Sequence, residues 1–167
     1  TVPDEVYAHI GSMKRRFSGY EKKWKRLLKA YKEKYPEDYK LFESAIKREL
    51  PDLIHDESLW ARAEKADATR NSGGAVLNKL AAKIPYIVGG AADLAPSTKT
   101  YLKGEGDYSA FNRAGRNLHF GIREHAMSAI CNGMQLHGGL QTYCSTFFVF
   151  SDYMKNAMRM SAIMKLP

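Results

Sequence analysis

The chain has 167 residues, of which 44% are hydrophobic and 26% charged, a composition typical of a folded globular protein and not of a disordered one. No apolar run reaches the roughly 18 residues that a membrane-spanning helix needs, so we expect no membrane association. The formal net charge of +8 would suit a nucleic-acid binder. However, the basic residues of the N-terminal part alternate with acidic and aromatic ones at helical spacing, which predicts a solvated helix face and no nucleic-acid partner.

Residues 1–65 are predicted to form a helical connector. After residues 1–13, which show no clear period, apolar residues recur in steps of three and four, as in an amphipathic helix. This stripe consists of Phe17, Tyr20, Trp24, Leu27, Leu28, Tyr31 and Tyr35. Pro36 ends the helix and can open a second one, whose own stripe runs to Leu50 before Pro51. Aromatic stripes usually belong to a core, so we expect both stripes to be buried against a larger body.

Residues 55–66 are predicted to form a short third helix, and residues 66–167 then alternate between helices and strands. The elements are a helix capped by Thr69 and ended by Pro85, a strand over residues 86–90, a loop over 98–116, a strand over 117–120, a helix between Gly121 and the pair Gly138 and Gly139, a strand over 140–143, and a last helix capped by Thr146. This alternation predicts an α/β fold with a parallel sheet. Three strands make a thin sheet, so we expect an incomplete domain.

The two cysteines, Cys131 and Cys144, are too few for a disulfide framework and lack the spacing of metal ligands. Both lie among apolar or small residues, so we predict buried free thiols, which are typical of a reducing compartment. The first residues also lack the charged start and apolar core of a signal peptide. We therefore expect a cytoplasmic protein, and no metal site made by this chain.

Three short stretches lie at the predicted strand ends: residues 90–97 (GAADLAPS), residues 121–127 (GIREHAM) and residues 146–153 (TFFVFSDY). Open α/β sheets place their ligand sites outside the carboxyl ends of the strands. Behind Gly121, Glu124 falls in a first helical turn, where free N–H groups and the helix dipole favour a negative charge. Alone, this glutamate has an ordinary explanation as a helix-start residue. A chemical role for Glu124 is indicated only by its occurrence together with the two other stretches.

In this order and spacing, the three stretches resemble those of the transketolases, which are thiamine-diphosphate enzymes. The resemblance covers the whole chain, with residues 1–65 as the interdomain connector and residues 66–167 as the N-terminal part of the pyrimidine-binding α/β domain. It implies a parent enzyme that moves a two-carbon ketol unit from a ketose phosphate to an aldose phosphate. It further implies thiamine diphosphate and a divalent metal (Mg²⁺ or Ca²⁺) as cofactors, and a homodimer with the site at the subunit interface.

The resemblance also implies roles for individual residues. Glu124 matches the catalytic glutamate, which shares a proton with N1′ of the cofactor's aminopyrimidine. The aromatic wall around this ring is matched by Phe147, Phe150 and Tyr153. Asp93 matches an acidic residue near the cofactor and the subunit contact, and a loop or cap aspartate is an equally good explanation of it. The positions that hold the phosphate of the sugar substrate are matched by Arg70 and Ser97.

The sequence also departs from the family pattern. The diphosphate and its metal need a GDG motif with a downstream asparagine, which is missing, and Gly106-Asp107-Tyr108 stands in the wrong place to replace it. The histidines of the sugar channel are missing too, and His119 and His125 are expected to be core or supporting residues. We therefore expect an absent domain to bind the metal, and this polypeptide to be inactive alone. A relative such as dihydroxyacetone synthase and a non-catalytic interaction module remain the alternatives.

Overall fold

The computed structural model describes residues 2–61 and 65–167. The chain forms two compact units, Thr1–Glu43 and Ser44–Pro167. Among the described residues, no helix combines the length and the apolar character that crossing a membrane requires.

The first unit is built on helix α1, Asp4–Lys34, which begins directly after Pro3. Residues 1–13, which show no clear apolar period, are therefore helical from Asp4 onward. Acidic residues occupy the first turn of α1 and lysines its last turn, and both complement the helix dipole. This charge pattern favours an early start that the apolar period alone does not reveal.

The aromatic stripe of α1 is exposed, contrary to the expectation that it is buried. The structure describes every residue of this helix and none is buried; Trp24, for example, is 52% exposed. The stripe makes contacts within its own unit, since the ring centroids of Tyr31 and Tyr35 lie 5.3 Å apart. A shallow groove of about 310 Å³ is lined by Trp24, Leu27, Leu28, Tyr31 and Phe42. The first unit thus leaves much of its apolar surface in contact with water.

Helix α2, Pro36–Lys47, begins at the predicted proline and ends three residues before the predicted Leu50. The cause is Arg48, which adopts the left-handed conformation (φ +56°) that commonly follows a helix end. Helix α3, Glu57–Trp60, is capped by Asp56, whose carboxylate accepts a hydrogen bond from the Ser58 N–H (3.1 Å). The helix ends at Trp60, and the described residues Lys65 and Ala66 are not helical, so its predicted extent over residues 55–66 is wrong; residues 62–64 lie outside the described residues.

Helix α4, Thr69–Lys83, has the predicted bounds but a different N-terminal cap. Ala68 occupies the cap position and Thr69 is the first helical residue, so the prediction that Thr69 caps the helix is wrong. The carboxylate of Asp67 instead accepts hydrogen bonds from the Ala68 N–H and the Asn71 side-chain amide, both at 2.7 Å. A carboxylate just before the helix satisfies local donors as a capping residue would.

Three parallel strands form the sheet of the second unit, in the order β2-β1-β3. They are β1 (Ile87–Ala91), β2 (Asn117–His119) and β3 (Gln141–Ser145). The central strand requires Gly90, because a Cβ there would lie 1.9 Å from the Leu118 carbonyl oxygen. The helices between and after the strands are α5 (Ala95–Thr98), α6 (Glu124–His137), the 3-10 helix (Phe148–Met154) and α7 (Lys155–Ile163).

Two hydrophobic clusters pack against the sheet. The first joins α6 and the 3-10 helix through Ala92, Phe120, Met127, Cys131 and Met154, and the second joins α4 to β1 through Ala81, Ile84, Ile87 and Leu102. Cys144 packs against the first cluster and Tyr143 against the second. Because successive residues of a strand point to opposite faces, the two clusters cover opposite faces of the sheet.

The predicted loop over residues 98–116 is present, except that its first residue ends α5. Asn117, only 2% exposed, closes the base of this loop. Its side-chain oxygen accepts a hydrogen bond from the Leu102 N–H (2.7 Å), and its amide donates to the carbonyls of Leu102 (2.9 Å) and Gly106 (3.0 Å). Asn117 thus uses both donors and its acceptor to hold the two ends of the loop together.

Candidate functional site

The carboxyl ends of the three strands lie along one edge of the sheet. In the register of the sheet, Ala91 of β1 lies opposite His119 of β2 and Ser145 of β3. The three stretches singled out in the sequence therefore begin side by side at this edge. A cavity of about 230 Å³ lies there between the ends of β1 and β2, and its lining includes Asp93, His119 and Gly121.

The turn into α6 determines the position of Glu124. Gly121 adopts φ +68°, a left-handed conformation that glycine adopts at little cost. The Arg123 N–H donates to the Gly121 carbonyl (2.8 Å), and the Arg123 guanidinium donates to the Phe120 carbonyl (2.6 Å). Glu124 is then the first residue of a 14-residue helix, at the end where the helix dipole is positive.

Glu124 is buried, with 9% of its surface exposed. None of the described residues forms a hydrogen bond or an ion pair with its carboxylate. One turn further along α6, the fully buried Met127 anchors the helix in the first hydrophobic cluster, together with Met154 at the end of the 3-10 helix. The start of α6 and the 3-10 helix are therefore packed together around one core.

The three aromatic residues form a continuous row. Ring centroids lie 6.3 Å apart for Phe147 and Phe150, and 6.4 Å apart for Phe150 and Tyr153. The expected α-helix with a Thr146 cap is wrong here, because the chain forms a 3-10 helix and the Thr146 hydroxyl is buried without a described partner. A 3-10 helix has three residues per turn, so a spacing of three aligns these side chains better than an α-helix would.

Asp93 lies in the cavity at the sheet edge and is exposed. Its backbone is left-handed, with φ +59°, a conformation in which aspartate is enriched among residues other than glycine. Such backbone strain often occurs at functional sites. The described side chains give Asp93 no hydrogen-bond partner, so the explanation as a capping residue receives no support.

Arg70 and Ser97 are both exposed and lie on neighbouring elements, Arg70 in the first turn of α4 and Ser97 in α5. Neither lines the cavity at the sheet edge. A larger cavity of about 550 Å³ lies between α4 and α5 and includes the residues that follow Arg70 and precede Ser97. Two lysines that the sequence reasoning missed, Lys99 and Lys103, also line it. The surface between these helices is therefore basic.

A second feature that the sequence did not reveal is a network around Asp107. One of its carboxylate oxygens accepts a hydrogen bond from the Tyr101 hydroxyl (2.9 Å) and lies 2.9 Å from His119 Nε2. Of the two expectations for His119, a core position is wrong, because its side chain is 64% exposed and lines the cavity at the sheet edge. Hydrogen bonds from His119 and Tyr101 lower the pKa of the Asp107 carboxyl, and the hydrogen bond to Asp107 raises the pKa of the Tyr101 hydroxyl.

This network predicts a pH dependence. The Asp107 carboxyl should titrate below the value of about 3.9 that is usual for aspartate, so its contribution to stability is present above about pH 4 and is lost as the pH falls through the folded pKa. The side-chain carboxyl carbon of Asp107, followed by NMR against pH, reports this directly. In His119→Phe the midpoint should move back towards the usual value, and an unchanged midpoint would contradict the role of His119.

Comparison with known proteins identifies the family of this chain. The sequence pattern described as "Transketolase, pyrimidine binding domain" matches residues 65–167. The chain is 48% identical over 167 residues to a transketolase of Bacillus subtilis and 45% identical to one of Geobacillus stearothermophilus, covering 99% of this chain and 25% of each relative. The crystal structure of a Pichia stipitis transketolase with sedoheptulose 7-phosphate superposes on all of this chain and 26% of that one, with a TM-score of 0.89 and 34% identity.

The fold and these matches define a pyrimidine-binding domain with a helical N-terminal part. The chain belongs to the transketolase family. The resemblance seen in the sequence and the predicted α/β class with a parallel sheet are both confirmed. The chain spans about a quarter of the length of the relatives that it matches.

Proposed function

We propose that this chain supplies the aminopyrimidine half of a thiamine-diphosphate site in a transketolase that moves two-carbon ketol units between sugar phosphates. The observation that carries the proposal is Glu124, a buried carboxylate at a helix N-terminus without a partner among the described residues. The Glu124 oxygens are not among the fully enclosed atoms that lack a partner, so they keep access to the surface, where a ligand can donate a hydrogen bond to them. In this proposal residues 1–65 are the connector and residues 66–167 belong to the pyrimidine-binding domain.

Glu124 would hold a proton between its carboxylate and N1′ of the aminopyrimidine. The Arg123 guanidinium, the nearest cation along the chain, bonds the Phe120 carbonyl instead, which leaves the Glu124 oxygens free for this contact. When bound, thiamine diphosphate supplies the electron sink for breaking and forming a bond beside a carbonyl carbon. The protein's contribution at this end is to orient the ring and to exchange one proton with it.

The aromatic row would hold the flat face or edge of the same ring. Two of its members are well exposed, Phe147 at 37% and Tyr153 at 66%, and Met154, at the end of the same 3-10 helix, packs in one cluster with Met127 of α6. Aromatic side chains prefer stacked or edge contacts with flat π-systems. The row and Glu124 together would therefore fix both the plane and the rotation of the aminopyrimidine.

The phosphate of the sugar substrate would lie near the basic surface between α4 and α5. Arg70 suits a phosphate because its guanidinium can donate two parallel hydrogen bonds, and the Ser97 hydroxyl can donate a third. Lys99 and Lys103 add positive charge that steers anionic substrates. The Pichia stipitis relative holds a sugar phosphate, which supports this class of substrate. Asp93, at the sheet edge, would lie near the cofactor and the subunit contact.

The remaining parts of the proposal concern groups outside this chain. A divalent metal and the diphosphate would be bound by another domain, since the sequence contains no GDG motif and the described residues hold no cluster of metal ligands. A homodimer would then bring the two halves of the site together. The chain alone would be inactive, and we place the parent enzyme in the cytoplasm.

Activity of the full-length protein tests the proposal. With a ketose phosphate as donor and an aldose phosphate as acceptor, we expect two-carbon transfer that requires added thiamine diphosphate. Transfer to formaldehyde with none to an aldose phosphate would instead identify a dihydroxyacetone synthase. Tight cofactor binding with no transfer to either acceptor would contradict the proposal.

The aromatic row gives a specific prediction for cofactor affinity. In the full-length protein, Phe150→Ala should raise the Kd for thiamine diphosphate about tenfold, because a stacking contact is worth about 1–1.5 kcal/mol. Quenching of intrinsic fluorescence on cofactor addition measures this Kd. Phe148→Ala is the matched control, since Phe148 lies in the same 3-10 helix outside the row and is 93% exposed. Equal weakening by both changes would remove the row from the site.

A further inference from the structure

One face of α4 is held directly against the segment that follows β1. Arg70, Gly74 and Asn78 are spaced four residues apart, so they lie along one face of this helix. Gly74 is buried. A Cβ at this position would lie 2.8 Å from the Lys99 Cβ and closer still to the Lys99 carbonyl oxygen. The absence of a side chain at Gly74 therefore lets the backbone of α4 contact the residue that ends α5.

One turn further along α4, Asn78 holds the same segment through hydrogen bonds. Its side-chain amide donates to the Tyr101 carbonyl (3.1 Å) and to the Gly74 carbonyl (2.9 Å), and its side-chain oxygen accepts from the Lys103 N–H (2.9 Å). Asn78 therefore lies beside residues 101–103, and Gly74 lies beside Lys99. The face of α4 and the segment run in opposite directions past each other.

The other side of this segment is fixed to the sheet. The Tyr143 hydroxyl of β3 donates to the Thr100 carbonyl (2.7 Å), and the Asn117 side chain of β2 bonds both backbone groups of the fully buried Leu102. Residues 100–103 are thus held from two sides. A displacement at Lys99 is therefore passed to α5, the part of the segment that precedes these bonds.

The same register, continued by one more turn of α4, brings Arg70 to α5, which carries Ser97. We propose that Gly74 and Asn78 are positioning residues for the sugar phosphate, because they hold α4 and α5 at the separation at which Arg70 and Ser97 bind one phosphate together. Their role rests on the proposed function, in which Arg70 and Ser97 contact that phosphate. Hydrogen bonds weaken steeply as their geometry departs from the ideal, and a misplacement of about 1 Å is enough to impair such a site.

The pair Gly73 and Gly74 supplies a variant and its matched control. In Gly74→Ala, the added methyl group must displace Lys99. In Gly73→Ala, the same group is added to the same helix at an exposed position, where no described atom lies within 4 Å of it. Alanine favours the helix at both positions, and neither change alters the charge that steers an anionic substrate.

The test compares kcat/KM of the full-length protein for a ketose phosphate and for the same ketose without its phosphate. Gly74→Ala should lower kcat/KM for the ketose phosphate about tenfold, the factor expected for one lost hydrogen bond to a charged group. It should leave kcat/KM for the free ketose and the Kd for thiamine diphosphate unchanged, and Gly73→Ala should leave all three unchanged. An unchanged preference for the phosphorylated sugar in Gly74→Ala, or an equal loss with both ketoses, would overturn the proposal. Absence of transfer by the unmodified protein would overturn the proposed function itself.

A second variant decides the matter even where Gly74→Ala fails to fold. Asn78→Leu keeps a similar side-chain volume and no charge, but removes the donor to the Tyr101 carbonyl and the acceptor of the Lys103 N–H. The Asn78 side chain is only half-buried, so we expect the variant to fold. Its preference for the phosphorylated ketose should fall by about threefold or more, the factor typical of one lost neutral hydrogen bond. An unchanged preference would overturn the positioning role of Asn78.

Discussion

Replacement of Glu124 by Gln in the full-length protein is expected to lower kcat for two-carbon transfer by roughly 10²–10⁴-fold, the usual contribution of a positioned acid or base. Gln has nearly the same shape and keeps a hydrogen-bond donor and acceptor, but it cannot exchange a proton with the aminopyrimidine. The Kd for thiamine diphosphate should change much less than kcat. Steady-state kinetics and cofactor titration on the same preparation separate the two effects.

A matched control is available in the same chain. Glu57 is also the first residue of a helix, α3, but it is exposed on the surface. Both substitutions remove a negative charge from the start of a helix, where it interacts with the helix dipole. Only Glu124→Gln should lower kcat, and Glu57→Gln should leave it unchanged. If Glu124→Gln retains full activity with the cofactor bound, the proton-exchange role of Glu124 is wrong even though the chain belongs to the family.

Replacement of Arg116 by Met is expected to have the largest effect on stability, about 2–3 kcal/mol, because it removes the donor from several acceptors, and each buried acceptor left unsatisfied costs about 1–3 kcal/mol. The Arg116 side chain is 13% exposed, and its Nη1 lies 2.9 Å from a carboxylate oxygen of Glu105. Its Nε donates to the Ile87 carbonyl (2.9 Å), and its Nη2 donates to the carbonyls of Ala81 (2.9 Å) and Ile84 (3.1 Å). One guanidinium thus joins the end of α4, the start of β1 and the long loop.

The acceptors that lose their donor explain the size of this effect. The Ala81 and Ile84 carbonyls belong to the last turn of α4, where acceptors lack helical partners and the dipole is negative. Met would fill the space but leave these acceptors and the Glu105 carboxylate without their donor. Lys would restore the charge without the fork of donors, so Arg116→Lys should recover only part of the loss.

Native-state hydrogen exchange measures the stability of this region within a larger protein. Amide protection in α4 and β1 should fall by roughly a hundredfold in Arg116→Met, since each 1.36 kcal/mol corresponds to a factor of ten. Arg113→Met is the control, because Arg113 is exposed and contacts only the Tyr108 ring and hydroxyl among the described residues. Equal protection in both variants would show that Arg116 is not a structural anchor.

The parts of the fold that the sequence predicts are those that depend on local patterns. The turn at Gly121 follows from a glycine before a helix start, and the alternation of short apolar runs with helical periods is enough to predict the parallel sheet. The position of Glu124 at the start of α6 follows from the same local signals. Its role in catalysis, like that of Arg70 and Ser97, remains a prediction that rests on family resemblance.

The parts that the sequence does not predict depend on long-range contacts or on an ambiguous period. A spacing of three suits both α- and 3-10 helices, so the aromatic row alone cannot distinguish them. The pair of Asp107 and His119, for example, joins residues that are twelve positions apart in the chain. The exposed stripe of α1 shows a further limit, since a pattern of apolar residues indicates which face avoids water but not what covers it.

The hydrogen bonds of the Asn117 side chain have a consequence for how this domain can change over evolution. The Asn117 side chain closes the base of the loop over residues 102–117 through hydrogen bonds to the Leu102 backbone, as a pair of backbone hydrogen bonds would. The tip of this loop includes Phe111, whose side chain is fully exposed. Loops whose ends are fixed tolerate insertions at low entropic cost. Related proteins can therefore differ in the length and composition of this tip while the sheet and the edge that carries the candidate site stay unchanged.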